Sequence, residues 1–146
     1  MSKEFVKVLF SLEPGSLHGM ATERLWAAPV GPGQYRIENS PFYAFGVSHQ
    51  DIVLATGTEP DLVFAGIVKR GGHSTYRVIV QQQASFAKFW AALQDLKCTY
   101  EQGHGTLLAV DVPPSTNIFD AYALLQAGED AGAWTFEEGH CGHSVA

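Results

Sequence analysis

The sequence predicts an α+β protein in which a small N-terminal β-barrel or curled sheet packs on a C-terminal ferredoxin-like unit. Residues 1–72 contain five or six short apolar segments separated by Gly, Pro and Asn, as in a small twisted barrel. Residues 73–146 instead follow the order strand, helix, strand, strand, helix, strand, which is that of a ferredoxin-like fold. We therefore divide the chain into subdomains at residues 1–72 and 73–146, the second ending in a tail.

In residues 1–72, apolar residues at every second position predict the strands. Residues 5–12 place Val6, Val8 and Phe10 on one face, which indicates a strand with one buried side. Residues 13–20 are rich in Gly and Pro and are predicted to form a loop. Further strands are predicted at residues 23–30, 34–38, 51–54 and 62–69.

The second half adds two segments with a helical apolar period. Ser85 is a candidate N-cap for a helix over residues 86–97. A second helix is predicted to end at Gly128. Its candidate caps are Ser115, Thr116 and Asn117. Its predicted buried stripe consists of Ile118, Ala121, Tyr122 and Leu125. Strands are predicted at residues 74–80, 98–102, 106–112 and 133–137.

Charge is strongly segregated along the chain. All nine Lys and Arg lie at or before Lys97, together with eight acids, whereas residues 98–146 contain seven acids and no Lys or Arg. Such a one-signed field repels nucleic acid and attracts basic partners. A solubilising surface is the alternative interpretation. The candidate partner-binding residues are Glu101, Asp120, Glu129, Asp130, Glu137 and Glu138.

Sequence signatures of common enzyme and membrane classes are missing. The chain contains no G-x-S-x-G elbow and no phosphate-binding loop with its lysine. No apolar run approaches the ~20 residues of a membrane span, and the N-terminus lacks the apolar block of a secretion signal. The central strands of the predicted ferredoxin-like sheet offer one aromatic residue for RNA stacking, Tyr76. We therefore expect a non-enzymatic cytoplasmic protein without a cofactor, nucleic-acid partner or membrane partner.

A metal-dependent enzyme is the alternative that the histidines raise. His140, Cys141 and His143 lie within four residues, and His73 or His104 can add a ligand if the fold brings it near. This spacing matches no standard zinc pattern, so a terminal tail with incidental imidazoles is the preferred interpretation. His73, at the start of a predicted strand, can instead bond exposed backbone groups at the junction of the two halves.

Short segments spread over nearly the whole chain carry a family resemblance. They are KVLF at 7–10, ERLWA at 23–27, YRIENSPF at 35–42, GVS at 46–48, DIV at 51–53, GHST at 72–75, LLAVDVP at 107–113 and GH at 142–143. In these segments the chain resembles an uncharacterised bacterial family, a domain of unknown function common in actinobacteria and proteobacteria. The resemblance implies a small stand-alone protein with no assigned activity, and immunity proteins of the antitoxin type have the same general appearance.

These observations lead to the hypothesis of an immunity or inhibitor protein that neutralises a basic toxin domain delivered by a neighbouring cell. A nuclease is one such toxin, because its active site is basic and an acidic face can imitate the charge of its substrate. The second hypothesis is a small-molecule-binding regulatory domain, which predicts a concave apolar pocket between the two halves.

Overall fold

A computed structural model of the protein describes residues 4–12 and 21–145. Within these residues the chain forms a mixed α+β architecture of a barrel, a second sheet and two helices, as the sequence predicts. The loop predicted at residues 13–20 lies outside the described residues. Neither helix has the length and hydropathy that a membrane crossing requires.

The N-terminal part of the described chain is a closed five-stranded barrel. Its strands are β1 (Val6–Ser11), β2 (Thr22–Gly31), β3 (Gln34–Ile37), β4 (Ile52–Thr56) and β5 (Leu62–Lys69). Consecutive strands pair antiparallel, and a parallel pairing of β1 with β5 closes the barrel, with Val8 opposite Leu62. The alternation of β1 directs Val6, Val8 and Phe10 into the barrel core, as predicted.

The C-terminal part is a four-stranded antiparallel sheet that carries both helices. Its elements are β6 (Ser74–Val80), α1 (Gln83–Asp95), β7 (Thr99–Gln102), β8 (Leu107–Val112), α2 (Ile118–Asp130) and β9 (Trp134–His140). The strands lie in the order β7-β8-β6-β9, so β6 and β8 are central. Val78 and Val110 from these central strands pack with Trp90, Leu93 and Leu125 of the helices in a second core.

The helix N-termini differ from the prediction at one of the two caps. Ser85 does not cap α1, because the helix begins at Gln83 and Gln82 occupies the cap position. The Ser85 hydroxyl instead donates to the side-chain oxygen of Gln82, 3.1 Å away. For α2, the structure selects Asn117 among the three candidates, since its Oδ1 accepts hydrogen bonds from the first turn of the helix.

Three predictions about α2 and β9 are wrong for reasons of tertiary packing. Gly128 does not end α2; it is buried inside the helix, where the indole of Trp134 lies against it. Tyr122 is exposed rather than buried, because only one side of its ring packs on neighbouring aromatic rings. The last strand continues past its predicted end at Glu137 to His140, so the predicted tail is shorter than expected.

A long irregular segment, residues 38–51, joins β3 to β4 and packs between the barrel and the sheet. The backbone N–H of Ser40 donates to Glu101 on β7 at 2.7 Å, and the hydroxyls of Ser48 and Thr75 lie 2.6 Å apart in the protein interior. Connections of this length without secondary structure are uncommon in compact domains and usually carry a function. The segment positions the candidate site described next.

Candidate functional site

His73 and Asp111 form the centre of a polar cluster at the junction of the two sheets. His73 lies in the connection between β5 and β6, and Asp111 lies on the central strand β8. Nδ1 of His73 is 2.9 Å from both carboxylate oxygens of Asp111, and the two side chains are only 15% and 11% exposed. Because an ionised carboxylate only accepts hydrogen bonds, Nδ1 of His73 is the donor in this contact.

His49, from the segment 38–51, completes the cluster. Its ring lies edge-on to the ring of His73, with the centroids 5.2 Å apart. One potential ligand atom from each of His49, His73 and Asp111 lies within 4.8 Å of the other two. The fold therefore brings two imidazoles and one carboxylate together from three separate parts of the chain.

Asp51 fixes the backbone on both sides of this cluster. Its fully buried carboxylate accepts hydrogen bonds from the backbone N–H of Ser48 at 2.9 Å and of Gly71 at 2.8 Å. The guanidinium of Arg70 donates to the same carboxylate at 3.1 Å. One side chain thus ties together the two segments that carry the histidines.

Two of the predicted metal candidates, His143 and Cys141, make other contacts. The ring of His143 bridges Ser74 and the chain after β8: Nδ1 lies 2.6 Å from the Ser74 hydroxyl and Nε2 lies 2.9 Å from the carbonyl oxygen of Pro113. The Cys141 thiol donates to the carbonyl oxygen of His143 at 3.5 Å. The segment predicted to be a loose tail is therefore bonded to the first residue of β6.

His140, a further metal candidate, lies at the end of β9 opposite Thr75. Its Nε2 is buried, with no hydrogen-bond partner among the described residues. Burial lowers the pKa of His140, and the nearby positive charge of Arg70 lowers it further. Of the five predicted metal candidates, His104 included, only His73 belongs to the three-residue cluster found in the described part of the chain.

The six acids predicted to bind a partner fall in three places. Glu137 and Glu138 are consecutive on β9 and therefore point to opposite faces of the sheet, with Glu137 paired in register with Arg77. Glu101 lies on β7, at the other edge of the sheet. The remaining acids share the helix side of the sheet with Glu138. They are Asp120, Glu129 and Asp130, all on α2.

Hydrogen bonds hold three of the acids on the helix side in place. Glu129 accepts from the backbone N–H of Phe136 at 3.2 Å, and Asp130 accepts from the Gln126 amide at 2.9 Å. Glu138 accepts from the Tyr76 hydroxyl at 3.4 Å. Among the described residues none of these donors is a Lys or Arg, so no ion pair ties these three carboxylates to a basic side chain.

Exposed aromatic side chains accompany these acids on α2. Phe119 is 61% exposed and Tyr122 is 47% exposed. The ring of Tyr122 packs edge-on against Phe136 and Tyr76, with centroids 5.4 and 6.3 Å apart, so its outer side is presented in a fixed orientation. We call this surface the α2–β9 face. It consists of Phe119, Tyr122, Glu129, Asp130 and Glu138, whereas Asp120 lies about 160° round the helix from Tyr122 and is not part of it.

An open groove of about 410 Å³ lies between the barrel and β7. It is lined by Phe5, Trp26, Glu38, Asn39 and Glu101, and both aromatic residues are 48% exposed. Glu101 therefore belongs to this groove and not to the α2–β9 face. The small-molecule hypothesis predicts a concave apolar pocket between the two halves, and the lining of this groove combines aromatic rings with polar side chains.

The sequence model of one protein family, described as Domain of unknown function (DUF4265), matches residues 23–136. The chain belongs to this family. The resemblance stated from the sequence alone is thereby confirmed. The matched region of this DUF4265 protein contains all three members of the His49, His73 and Asp111 cluster and the whole of α2.

Structural comparison gives one informative relative of this DUF4265 protein. A crystal structure of a hypothetical protein from Neisseria gonorrhoeae superposes with a TM-score of 0.78 and 22% sequence identity, and the match covers 99% of each chain. At this level of identity the similarity establishes a shared fold. No curated protein matches the sequence.

Sequence reasoning missed two members of the central cluster, His49 and Asp111. One signal was present for Asp111, because a lone acid between Val110 and Val112 in an apolar strand must find a partner when it is buried. His49 gave no such signal. The partner of a histidine in a polar turn can be identified only once the segment 38–51 is placed against the sheet.

Proposed function

We propose that this DUF4265 protein is a non-enzymatic binding protein whose α2–β9 face docks on a basic protein partner. The observation that carries the proposal is the exposure of Phe119 and Tyr122 among acids, in a part of the chain that contains no Lys or Arg after Lys97. Rigid aromatic side chains surrounded by charge of one sign are typical of an interface that recognises the opposite charge.

The expected energetics follow from this arrangement. Aromatic residues at the centre of an interface often contribute ~2 kcal/mol or more each, whereas charges at its rim act mainly on the association rate. An interface of standard size covers ~800 Å² on each partner, which is enough to extend from Phe119 across α2 to Glu138 on β9. The aromatic residues therefore supply affinity, and the acids supply steering and selectivity for a basic surface.

The partner class that we propose is a basic toxin domain, for example a nuclease, and the protein would act as its immunity or inhibitor protein. A surface that imitates the charge of a nucleic acid competes for the same basic residues that hold the phosphates of the substrate. A toxin delivered by a neighbouring cell is met in the cytoplasm, so we propose a cytoplasmic location.

We also propose that residues 73–146 form a ferredoxin-like subdomain with a C-terminal extension and that residues 1–72 form a barrel subdomain. The strand order β7-β8-β6-β9, with helices after the first and third strands of the unit, supports the ferredoxin-like assignment. The two sheets lie on either side of the connection at residues 70–73.

Co-expression with the products of the genes that flank its own tests the proposal. We expect a complex whose dissociation constant rises about 30-fold on Phe119→Ala or Tyr122→Ala, which corresponds to ~2 kcal/mol. Asp130→Lys should slow association and flatten its salt dependence. The matched control is Asp61→Lys, an exposed acid in the turn between β4 and β5. If the α2 variants and the control bind equally well, the α2–β9 face is not the interface.

A second candidate function is the binding of a small organic cation in the groove beside β7. The observation that favours it is the presence of two carboxylates, Glu38 and Glu101, next to the exposed ring of Trp26. The Lys7 ammonium lies 4.7 Å from the centroid of this ring, and a ligand amine would take its place while a carboxylate accepts the hydrogen bonds of the amine. Titration with spermidine, followed by tryptophan fluorescence, should show saturable binding that Glu101→Gln weakens. A linear response in both proteins would exclude this function.

A further inference from the structure

His49, His73 and Asp111 form a cluster that has no part in the proposed docking face. Their ligand atoms lie within 4.8 Å of one another. In a tetrahedral zinc site with bonds of about 2.1 Å, ligand atoms are about 3.4 Å apart. The cluster is therefore close to a coordinating geometry, and side-chain rotations that move atoms by an ångström or so would complete it.

The donor set is also the right one for a transition metal. Two imidazole nitrogens and a carboxylate oxygen are ligands that Zn²⁺, Co²⁺ and Fe²⁺ accept, and the carboxylate offsets part of the charge of the ion. The distance of 2.9 Å between His73 Nδ1 and Asp111 is that of a hydrogen bond, and it would lengthen by about 0.5 Å when both atoms bind one ion. One ring nitrogen of His49, from the segment 38–51, lies within 4.8 Å of both of these ligand atoms.

The surroundings show that the cluster is built into the fold. Asp111 is on a central strand, in register with Thr75 of β6 on one side and Thr99 of β7 on the other. Next to His73, a Cβ on Gly142 would lie 2.2 Å from the His73 carbonyl oxygen, so the C-terminal segment packs directly on this backbone. The backbone of two ligands is thus fixed, whereas His49 must exchange the contact of its Nε2 with the Gln50 amide nitrogen, 3.1 Å away, or use Nδ1 to bind the ion.

We propose that His49, His73 and Asp111 bind one divalent transition-metal ion, with Zn²⁺ as the ion that suits the donor set best. The ion takes the place of the proton between His73 Nδ1 and Asp111, and that proton leaves to solvent. Three protein ligands leave a fourth position for water. The bound ion joins the segment 38–51, the connection before β6 and β8, and so stabilises the junction of the barrel and the sheet. This inference is independent of the proposed partner.

Metal titration of the intact protein tests the site. After treatment with a chelator and dialysis, the protein is titrated with Co²⁺, followed by its visible d–d absorption, and with Zn²⁺, followed by calorimetry. We expect one ion per chain and, at a hundredfold excess of Zn²⁺ over its dissociation constant, a rise in Tm of about 5 to 10 °C. His49→Gln and Asp111→Asn should each weaken binding at least about 10-fold.

His104→Gln is the matched control, because His104 is exposed in the turn between β7 and β8. This variant should bind like the wild type. Circular dichroism verifies that each variant is folded, and if Asp111→Asn unfolds, the half-buried His49→Gln decides alone. The proposal is overturned if the wild type binds no ion stoichiometrically, or if His49→Gln binds it as tightly as the control.

Discussion

Glu23 on the barrel and Arg77 on the sheet bind opposite sides of the same three-residue segment, 42–44. The Glu23 carboxylate accepts hydrogen bonds from all three backbone N–H groups of the segment, at 2.7 to 3.0 Å. The guanidinium of Arg77 donates to the carbonyl oxygens of Phe42, at 2.9 Å, and of Ala44. Since hydrogen bonds to charged groups are about twice as strong as neutral ones, this segment joins the two sheets firmly.

Removal of the Arg77 charge should therefore be costly. Arg77 is 2% exposed, and burial lowers its pKa while the charges of Glu23 and Glu137 oppose that shift. We expect Arg77→Met to destabilise the protein by about 3 to 5 kcal/mol, because the carbonyl groups of the segment 42–44 lose their donors in the interior. Arg77→Lys should lower the free energy of unfolding by less, since the lysine keeps a hydrogen-bond donor and the positive charge. Urea unfolding measures both, and a loss below about 1 kcal/mol for Arg77→Met would contradict this account.

Gly128→Ala tests the packing of α2 on β9. In a helix interior, alanine is normally more favourable than glycine by ~1 kcal/mol. Here, however, the added Cβ would lie 2.3 Å from two ring carbons of Trp134, far inside the van der Waals distance of about 3.5 to 4.0 Å. The steric cost should exceed the gain in helix propensity, so we expect a net destabilisation of about 1 to 3 kcal/mol in urea unfolding.

A double mutant identifies the cause of that loss. Trp134→Phe removes the second ring that the new Cβ would meet, although it also loses the hydrogen bond from Trp134 Nε1 to the Leu125 carbonyl at 2.8 Å. Gly128→Ala should then cost less in the Trp134→Phe background than in the wild type, by about 1 kcal/mol. Additive effects would mean that the indole does not limit the space at Gly128.

The fold could be predicted to the extent that it depends on local periodicity. The side chains that the alternation of β1 and the apolar spacing of α1 predict to be buried do lie in the two cores. Gly128 was assigned wrongly because its role depends on Trp134, which approaches only when β9 packs beside α2. Tyr122 follows the buried helical period, yet its outer side is left uncovered at the edge of the sheet.

The candidate site was harder to predict, because it depends on contacts between distant segments. His73 was expected to bond backbone groups at the junction of the two halves, but its partner is the side chain of Asp111, 38 positions away along the chain. His49 lies in an irregular segment whose path no periodic pattern describes. Hydrogen bonds between side chains and the backbone hold it in place, such as the one that the Ser48 N–H donates to the Asp51 carboxylate.

Cys98 should resist alkylation in the native protein. Burial raises the pKa of its thiol to about 11, and the negative charge of Asp111 adds to the shift. At pH 8 about one thiol in a thousand is then the reactive thiolate. Cys141 is only half-buried, so iodoacetamide should label it at least about 100-fold faster. Mass spectrometry of the labelled peptides measures both rates. In urea the two cysteines should react alike, and similar rates in the folded protein would contradict the prediction.

His140 should make the protein less stable as the pH falls below neutrality. Its folded pKa is lowered by burial and by Arg70, whereas in the unfolded chain it has an ordinary value of about 6.5. At pH values above 6.5 both states are neutral, and this contribution to stability is fully present. As the pH falls through the window between about 6.5 and the lower folded pKa, the unfolded state takes up the proton first and is stabilised.

His140→Phe should therefore flatten the loss of stability in this window. One group can change the free energy of unfolding by at most about 1.4 kcal/mol per pH unit, and partial exposure of His140 reduces that limit. Urea unfolding between pH 5 and pH 8 gives the slope for each protein. His104→Asn, at an exposed turn, should keep the wild-type slope. If His140→Phe also keeps the wild-type slope, His140 is not its cause. Another titrating group then destabilises the protein in acid.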